Sequence, residues 1–340
     1  MKQVSIIILN WNGSKLLCEY LPSVVQLSPQ DISDVIVADN GSTDESIEIL
    51  EKEFPSVKII KLDKNYGFAK GYNLAISQIS TPYCILLNDD VRVTENWLEP
   101  MLKYMESNPK VGALQPKLLS DRDKTMFEYA GAAGGFLDKY GYPFCRGRIF
   151  DTIEKDLGQY DNIEKIMWAT GACLMVRTEV FKAAGCLDEN FFAHMEEIDL
   201  CWRIRNLGYD IVCIPSSKVY HYGGGSLAMG NPRKTKLNFR NSLLMLYKNL
   251  PTETRNKKIF IRMLLDGVAA LNFLLHMQFS HVKAIWQAHR EYKTMVKEIY
   301  SVRKISETTS ESISSSRFFA ESISILWSYY LRSSKTFSKL

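Results

Sequence analysis

The feature that most constrains this chain is a repeating strand and helix rhythm over residues 4–90. Strand-like runs at residues 4–9, 34–38, 57–62 and 83–87 are separated by helix-like runs at 14–26, 45–54 and 68–79. Such a βαβαβαβ order predicts a mostly parallel sheet with a cleft along its carboxyl edge. The fourth run, Tyr83-Cys84-Ile85-Leu86-Leu87, stops abruptly at Asn88-Asp89-Asp90. Two adjacent carboxylates at the end of a buried strand must find a cation, a donor or a metal, because an unpaired charge out of water is costly. The carboxyl ends of such strands are also where α/β sheets bind ligands. A divalent ion is therefore the first expectation.

Several function classes drop out early. Asn10-Trp11-Asn12-Gly13 stands where a dinucleotide-binding fold needs its glycine-rich fingerprint, so NAD binding is disfavoured. The same segment lacks the phosphate loop with a nearby Lys or Arg that a sugar nucleotidyltransferase needs. The seven cysteines are odd in number, widely spaced and without a CxxC pair, which reads as reduced core residues and a cytosolic setting. The strand pattern begins at Val4, so no secretory leader is expected. Residues 233–304 hold 15 Lys and Arg against 4 Asp and Glu, whereas residues 1–232 sum to about −8. The basic part should face something anionic. It carries no recognisable nucleic-acid-binding motif, so nucleic acid is not the expected partner.

Other motifs are each open to a plain reading. Asp39-Asn40-Gly41-Ser42-Thr43-Asp44 is a turn and helix cap, or a nucleotide contact in which Asp39 accepts from a base N–H. In Phe191–Arg203, Glu196, Glu197 and Asp199 form either a charged helix start or a general base raised in proton affinity by its neighbours. His221, before Gly223-Gly224-Gly225-Ser226, is a satisfied strand-end histidine or a metal ligand that would tilt preference from Mg²⁺ toward Mn²⁺. The Gly- and Tyr-rich residues 129–150 show little periodicity and are expected to be loops near a site.

In this order, Val4–Gly13, Asp39–Asp44, Asn65-Tyr66-Gly67-Phe68-Ala69-Lys70-Gly71-Tyr72-Asn73, Leu86–Val91, Gly171-Ala172, Phe191–Arg203 and His221 resemble the family 2 glycosyltransferases, in their rhamnosyltransferase-like and galactofuranosyltransferase-like branch. The resemblance implies a GT-A fold, an α/β sheet flanked by helices, with a C-terminal helical extension. The resemblance covers roughly residues 3–250, and with the charge split and Ser content it suggests three regions: catalytic residues 1–232, a basic helical extension 233–304, and a Ser-rich tail 305–340. Asn10, Asn12, Asp39, Asn65, Gly67, Asn73, Asn88 and Asp89 would line the donor site, with Asp90 and His221 as ligands of Mn²⁺ or Mg²⁺. Asn88 replaces the first carboxylate of the family's DxD motif. Glu197 would be the base of an inverting transfer, Glu196 its neighbour, and Asp199 a rival. The implied partners are a nucleoside-diphosphate sugar and a glycan or lipid-linked acceptor, in cell-surface polysaccharide synthesis. Asn88 and Glu197 also leave room for a binding module that keeps the fold but has lost turnover.

Residues 259–279 have nearly the length of a membrane span but contain Arg262, Asp266, Asn272 and His276, which share about one third of a helix circumference. The segment is expected to be amphipathic, lying on the inner face of the plasma membrane or packing its apolar face on the catalytic domain or another subunit. Ser-rich residues 301–316 read as a linker.

Overall fold

A computed structural model describes residues 2–223, 230–300, 319–320 and 323–340. The expected linker at 301–316 and most of the Gly223–Ser226 loop lie outside the described residues. The chain runs β1 (Val4–Asn10), α1 (Ser14–Leu27), β2 (Ser33–Asp39), α2 (Ser46–Glu53), β3 (Lys58–Lys61), α3 (Gly67–Ile76), β4 (Tyr83–Asn88), β5 (Val91–Val93), α4 (Glu99–Ser107) and β6 (Val111–Ser120). Then come β7 (Gly135–Asp138), β8 (Pro143–Cys145), β9 (Arg148–Ile149), β10 (Thr152–Ile153), β11 (Glu164–Ile166), β12 (Cys173–Arg177), α5 (Thr178–Ala183), α6 (Glu196–Asn206) and β13 (Asp210–His221). The C-terminal part is α7 (Pro232–Asn249), α8 (Thr252–Leu275), α9 (Phe279–Met295), β14 (Phe319–Ala320) and α10 (Ile325–Tyr330).

The main sheet has the order β11-β13-β6-β12-β4-β1-β2-β3, with β5 pairing to β13. Strands β1 to β4 are parallel where they pair, β12 is antiparallel to β4 and β6, and β13 is parallel to β6. The sheet is covered on both faces, which explains its continuous apolar runs. Along β4, Cys84 and Leu86 enter one core while Ile85 and Leu87 enter the other. Five of the seven cysteines are buried in these layers.

Residues 129–150 are more ordered than their composition suggests. They supply β7, β8 and β9 of a second sheet, ordered β10-β9-β8-β7-β14. Its strands are two to four residues long, too short for any period to register. Residues 323–340 fold back on it: Ile325 N–H donates to Asp138, and Phe337 packs against Phe136, Phe144 and Tyr160. Among the described residues, no helix is long and apolar enough to cross a membrane.

Candidate active site

The parallel order brings the ends of β1, β2 and β4 side by side. Asn10, at the end of β1, is buried and donates through Nδ2 to Asp39 Oδ1 at 3.0 Å and to Ser42 Oγ at 3.1 Å. Asp39 Oδ2 accepts from Ser42 N–H at 3.0 Å, closing the turn after β2. Asn12 sits in the left-handed region at φ 53° and accepts from Thr43 N–H at 2.7 Å. Its side-chain oxygen therefore shapes the rim of the site. Asn40, which drew no separate expectation from sequence, donates to Asn65 Oδ1 and the Gly67 carbonyl and accepts from Tyr66 N–H. Asn65 Oδ1 in turn accepts from Gly67 N–H at 2.8 Å. Gly67 has φ +77°, and a Cβ there would lie 2.7 Å from the Phe192 ring, so only glycine fits.

Asn73 does not face this pocket as expected. Both ends of its amide are engaged with the main chain of Leu187, at 2.8 and 3.0 Å. A two-sided bond of that kind fixes α3 to the loop before α6.

The second group lies where the turn between β4 and β5 meets the end of β13, with His221 paired to Val91. His221 Nε2 is 3.0 Å from Asp90 Oδ1, and His221 Nδ1 is 3.2 Å from Glu128 Oε1. All three residues are buried. Burial alone would lower the histidine's proton affinity, but the charge of Glu128 and its bond to Asp90 push it up to about 10. Burial raises Asp90 too, yet His221 holds it below the usual carboxylate range. Burial and the Asp90 charge push Asp89 up to about 7, against a smaller pull from His221. Asn88 Nδ2 reaches the same histidine ring at 3.4 Å. Glu128 was not singled out from sequence, because it lies 93 positions from His221 and no local motif links them.

These residues fit a hard divalent ion. His221 holds its proton between Asp90 and Glu128; once that proton is displaced, Nε2 can face an ion beside Asp90 while Glu128 orients the ring through Nδ1, the way metal-binding histidines are oriented. The neighbouring Asp89 adds a charge for which a cation is the natural counterweight. Gly13 completes the cradle, since a Cβ there would lie 2.8 Å from Asp89 Oδ2. Among the described residues, no three His, Cys, Asp or Glu side chains converge as a full cage. The protein offers a partial ligand set, as expected where a substrate diphosphate supplies the rest.

The third group opens α6. Glu196 is buried and Glu197 partly so, and each has one carboxylate oxygen without a hydrogen-bond partner among the described residues. Burial, with the neighbouring Glu197, pushes Glu196 well above its ordinary range, and burial raises Glu197 to about 7. Asp199 is different. Burial would raise it, but Lys248 at 2.7 Å and Arg203 at 2.8 Å hold it below its ordinary range, and Asn249 donates to its other oxygen.

Glu197 lies beside Gly171, whose added Cβ would stand 3.7 Å from Glu197 Cβ. The next residue, Ala172, accepts from Asn88 N–H at 3.0 Å, so two short steps join Glu197 to the Asn88–Asp90 turn. On the other side, Phe68 N–H donates to the Phe192 carbonyl, joining the loop before α6 to the donor-side turn.

That loop is strained. Phe192, His194 and Met195 all have positive φ, at 64°, 71° and 73°, conformations that are costly for side chains with a Cβ. Helix α7 holds it in place. The buried Asn241 donates through Nδ2 to the carbonyls of Phe191, Ala193 and His194 at 3.0, 2.9 and 2.8 Å, and Arg240 adds bonds to Asn190 and Phe191. A domain boundary at residue 232 would separate α7 from the loop it holds.

Taken as a whole, a mixed sheet whose parallel strands β1, β2 and β4 end in polar residues, a carboxylate and histidine pair beside them and a raised carboxyl pair on a helix start define a GT-A-type sugar-transfer fold. The comparisons agree. Residues 5–183 match the family described as glycosyl transferase family 2, and the chain belongs to that family and is a glycosyltransferase. It is 26% identical over 233 residues to the N-acetylglucosaminyl-diphospho-decaprenol L-rhamnosyltransferase of Mycobacterium tuberculosis, covering 64% of this chain and 75% of that one. It is 25% identical over 230 residues to the dTDP-rhamnosyl transferase RfbF of Shigella flexneri, covering 63% and 71%. Two solved structures share the fold. One is S. aureus TarS 1-349 in complex with UDP-GlcNAc, with TM-score 0.57, 16% identity, and 84% and 80% coverage. The other is the mannosyltransferase PcManGT from Pyrobaculum calidifontis in complex with GDP-Man and Mn²⁺, with TM-score 0.54, 13% identity, and 85% and 86% coverage.

Proposed function

We propose that this glycosyltransferase moves rhamnose or a related hexose from a nucleoside-diphosphate donor to a hydroxyl of a glycan or lipid-linked acceptor, with inversion. The sugar and acceptor class follow the rhamnosyltransferase relatives. The setting is cell-surface polysaccharide synthesis on the cytoplasmic side. The observation that carries the mechanism is the condition of Glu197, a partly exposed carboxyl raised to about 7 with one oxygen unpartnered.

In this reading Glu197 accepts the proton from the acceptor O–H as that oxygen forms its bond to the anomeric carbon. The bond from that carbon to the diphosphate breaks at the same time, and the electron pair leaves with the nucleoside diphosphate. A base with an affinity near the working pH is the efficient one. Glu196 stays protonated and neutral beside it, so the pair does not hold two charges. Asp199 is a structural anion, since Lys248 and Arg203 already occupy it. Asn10, Asp39 and Ser42 form the wall that receives the nucleobase and ribose, and Asn40, Asn65 and Gly67 set the turn above it. Asp90 and His221 would hold Mn²⁺ or Mg²⁺, oriented by Glu128, with Asn88 and Asp89 alongside. When bound, the ion offsets the charge that develops on the leaving diphosphate.

The test is a screen of nucleotide sugars for nucleoside diphosphate release, with and without Mn²⁺ or Mg²⁺ and in the presence of candidate acceptors. Release from a dTDP-rhamnose donor, lost in Asp90→Ala, is expected. Release that is equal in the variant and independent of divalent ions would remove Asp90 from the metal site.

A further inference from the structure

Helix α8 is built inside out. Its buried residues are Ile259, Arg262 and Asp266. Arg262 Nε donates to Asp266 Oδ1 at 3.1 Å, its guanidinium lies over the Tyr142 ring at 3.6 Å, and Nη1 reaches the Gly141 carbonyl. His289 of α9 closes on the other Asp266 oxygen at 3.0 Å. Arg262 and Asp266 thus anchor the helix inward, by a cluster in which each charge has a partner, whereas Asn272 and His276, expected on the same polar face, are exposed.

The apolar side faces out. Phe260, Leu264, Val268, Leu271 and Leu275 are each at least half exposed. At 100° per residue they fall within about 80° of one another and run for roughly 22 Å along the helix. At the corner between α8 and α9, Met277 and Phe279 are exposed as well. Single exposed apolar residues are ordinary, but a continuous stripe of this kind marks a surface that something covers. The alternative in which this face packs on the catalytic domain is not what the fold does.

Charge selects what covers it. Exposed Lys257, Lys283, Arg290 and Lys293 lie on the same helix pair. The acids there are largely engaged: Asp266 with Arg262 and His289, and Glu291 with Lys236 and Arg240. A second copy facing this surface would bring like charge against like charge. An anionic lipid surface offers both halves of the match, an acyl boundary for the stripe and headgroups for the cations. We propose that α8 and the corner before α9 seat the protein on an anionic bilayer surface. This seating depends on the outer face of α8 and not on the transfer chemistry.

The experiment is co-sedimentation of the full chain with vesicles of phosphatidylcholine alone, or mixed with phosphatidylglycerol, at low and high salt. The triple variant Leu264→Gln, Val268→Gln, Leu271→Gln is compared. Its changed side chains are solvent-facing, and retained thermal stability and donor binding verify that it folds. The expected result is binding to the mixed vesicles, weakened by salt, and about tenfold or more weaker in the triple variant. A Lys283→Glu, Arg290→Glu variant should lose the preference for anionic lipid. Equal sedimentation with and without vesicles overturns the proposal. So does concentration-dependent dimerisation of the native chain in light scattering that the triple variant abolishes, since the stripe would then be a contact between copies.

Discussion

Replacing Asn241 with Leu should separate positioning from folding. The side chain is fully buried, and its two amide hydrogens are shared among three carbonyls. The Phe191 carbonyl keeps other donors, Arg240 and Ala193 N–H. The carbonyls of Ala193 and His194 lose the donor they have in this arrangement. Each buried acceptor left without a partner costs about 1–3 kcal/mol. Two of them give a destabilisation of roughly 2–4 kcal/mol, allowing for partial relaxation. Relaxation is the functional point. Three positive-φ residues precede α6, each costing on the order of 1–2 kcal/mol, so a loop freed from its clamp drifts toward ordinary φ and carries Glu197 with it. Calorimetry should show Tm lowered by roughly 3–6 °C. Below that transition, kcat should fall by about tenfold to a hundredfold, with KM for the donor changed less than about twofold, since the donor wall is built on other strands. A variant that loses the stability but keeps native kcat would refute the link between this clamp and the base.

Other expectations are narrower. Lys248→Met leaves Asp199 facing only Arg203 and Asn249, and denaturant unfolding should report a loss of about 3 kcal/mol. Asp199 is held below its ordinary pKa in the folded protein, so its contribution is present above its unfolded pKa and fades as pH falls toward the depressed folded value. Acid unfolding of Lys248→Met should therefore begin from a lower plateau and show a weaker acid limb. Glu197 titrates at about 7 in the fold, so the turnover profile should climb through that pH. Its raised pKa also means that its protonated form favours folding, a contribution complete below the unfolded carboxylate pKa and lost as pH rises through about 7. Glu128→Gln keeps the shape behind His221 but removes the charge, and the Mn²⁺ concentration for half-maximal activity should rise about tenfold to a hundredfold. No change in that concentration would make Glu128 a packing residue only.

Strands β1, β2 and β4 were readable from sequence because strands buried on both faces leave unbroken apolar runs, while the edge strand β3 showed through Ile59 and Ile60 alone. The expected run at 4–9 is β1 less its last residue, and the run at 83–87 is β4 less Asn88. The Asp39 turn was also local, formed by residues within three positions of each other. What sequence left out depends on distant partners. Glu128 meets His221 only because β13 crosses back beside β6, and Asn241 meets its carbonyls across about 50 positions. Asn73 was expected at the nucleotide because its motif lies there. Its amide instead matches a main-chain segment 114 positions away. Arg262 and Asp266 of α8 look solvent-facing in isolation. They are buried because Gly141, Tyr142 and His289 supply partners that no helical wheel contains.

Glu197→Gln asks whether Glu197 takes the acceptor proton. Donor affinity by calorimetry and sugar transfer to acceptor should be measured on the same preparation, beside Asp199→Asn. The account predicts native donor affinity with transfer reduced by about 10² to 10⁴-fold in Glu197→Gln, and a stability defect as the main change in Asp199→Asn. Near-native transfer by Glu197→Gln, with transfer abolished in a folded, donor-binding Asp199→Asn, would contradict it.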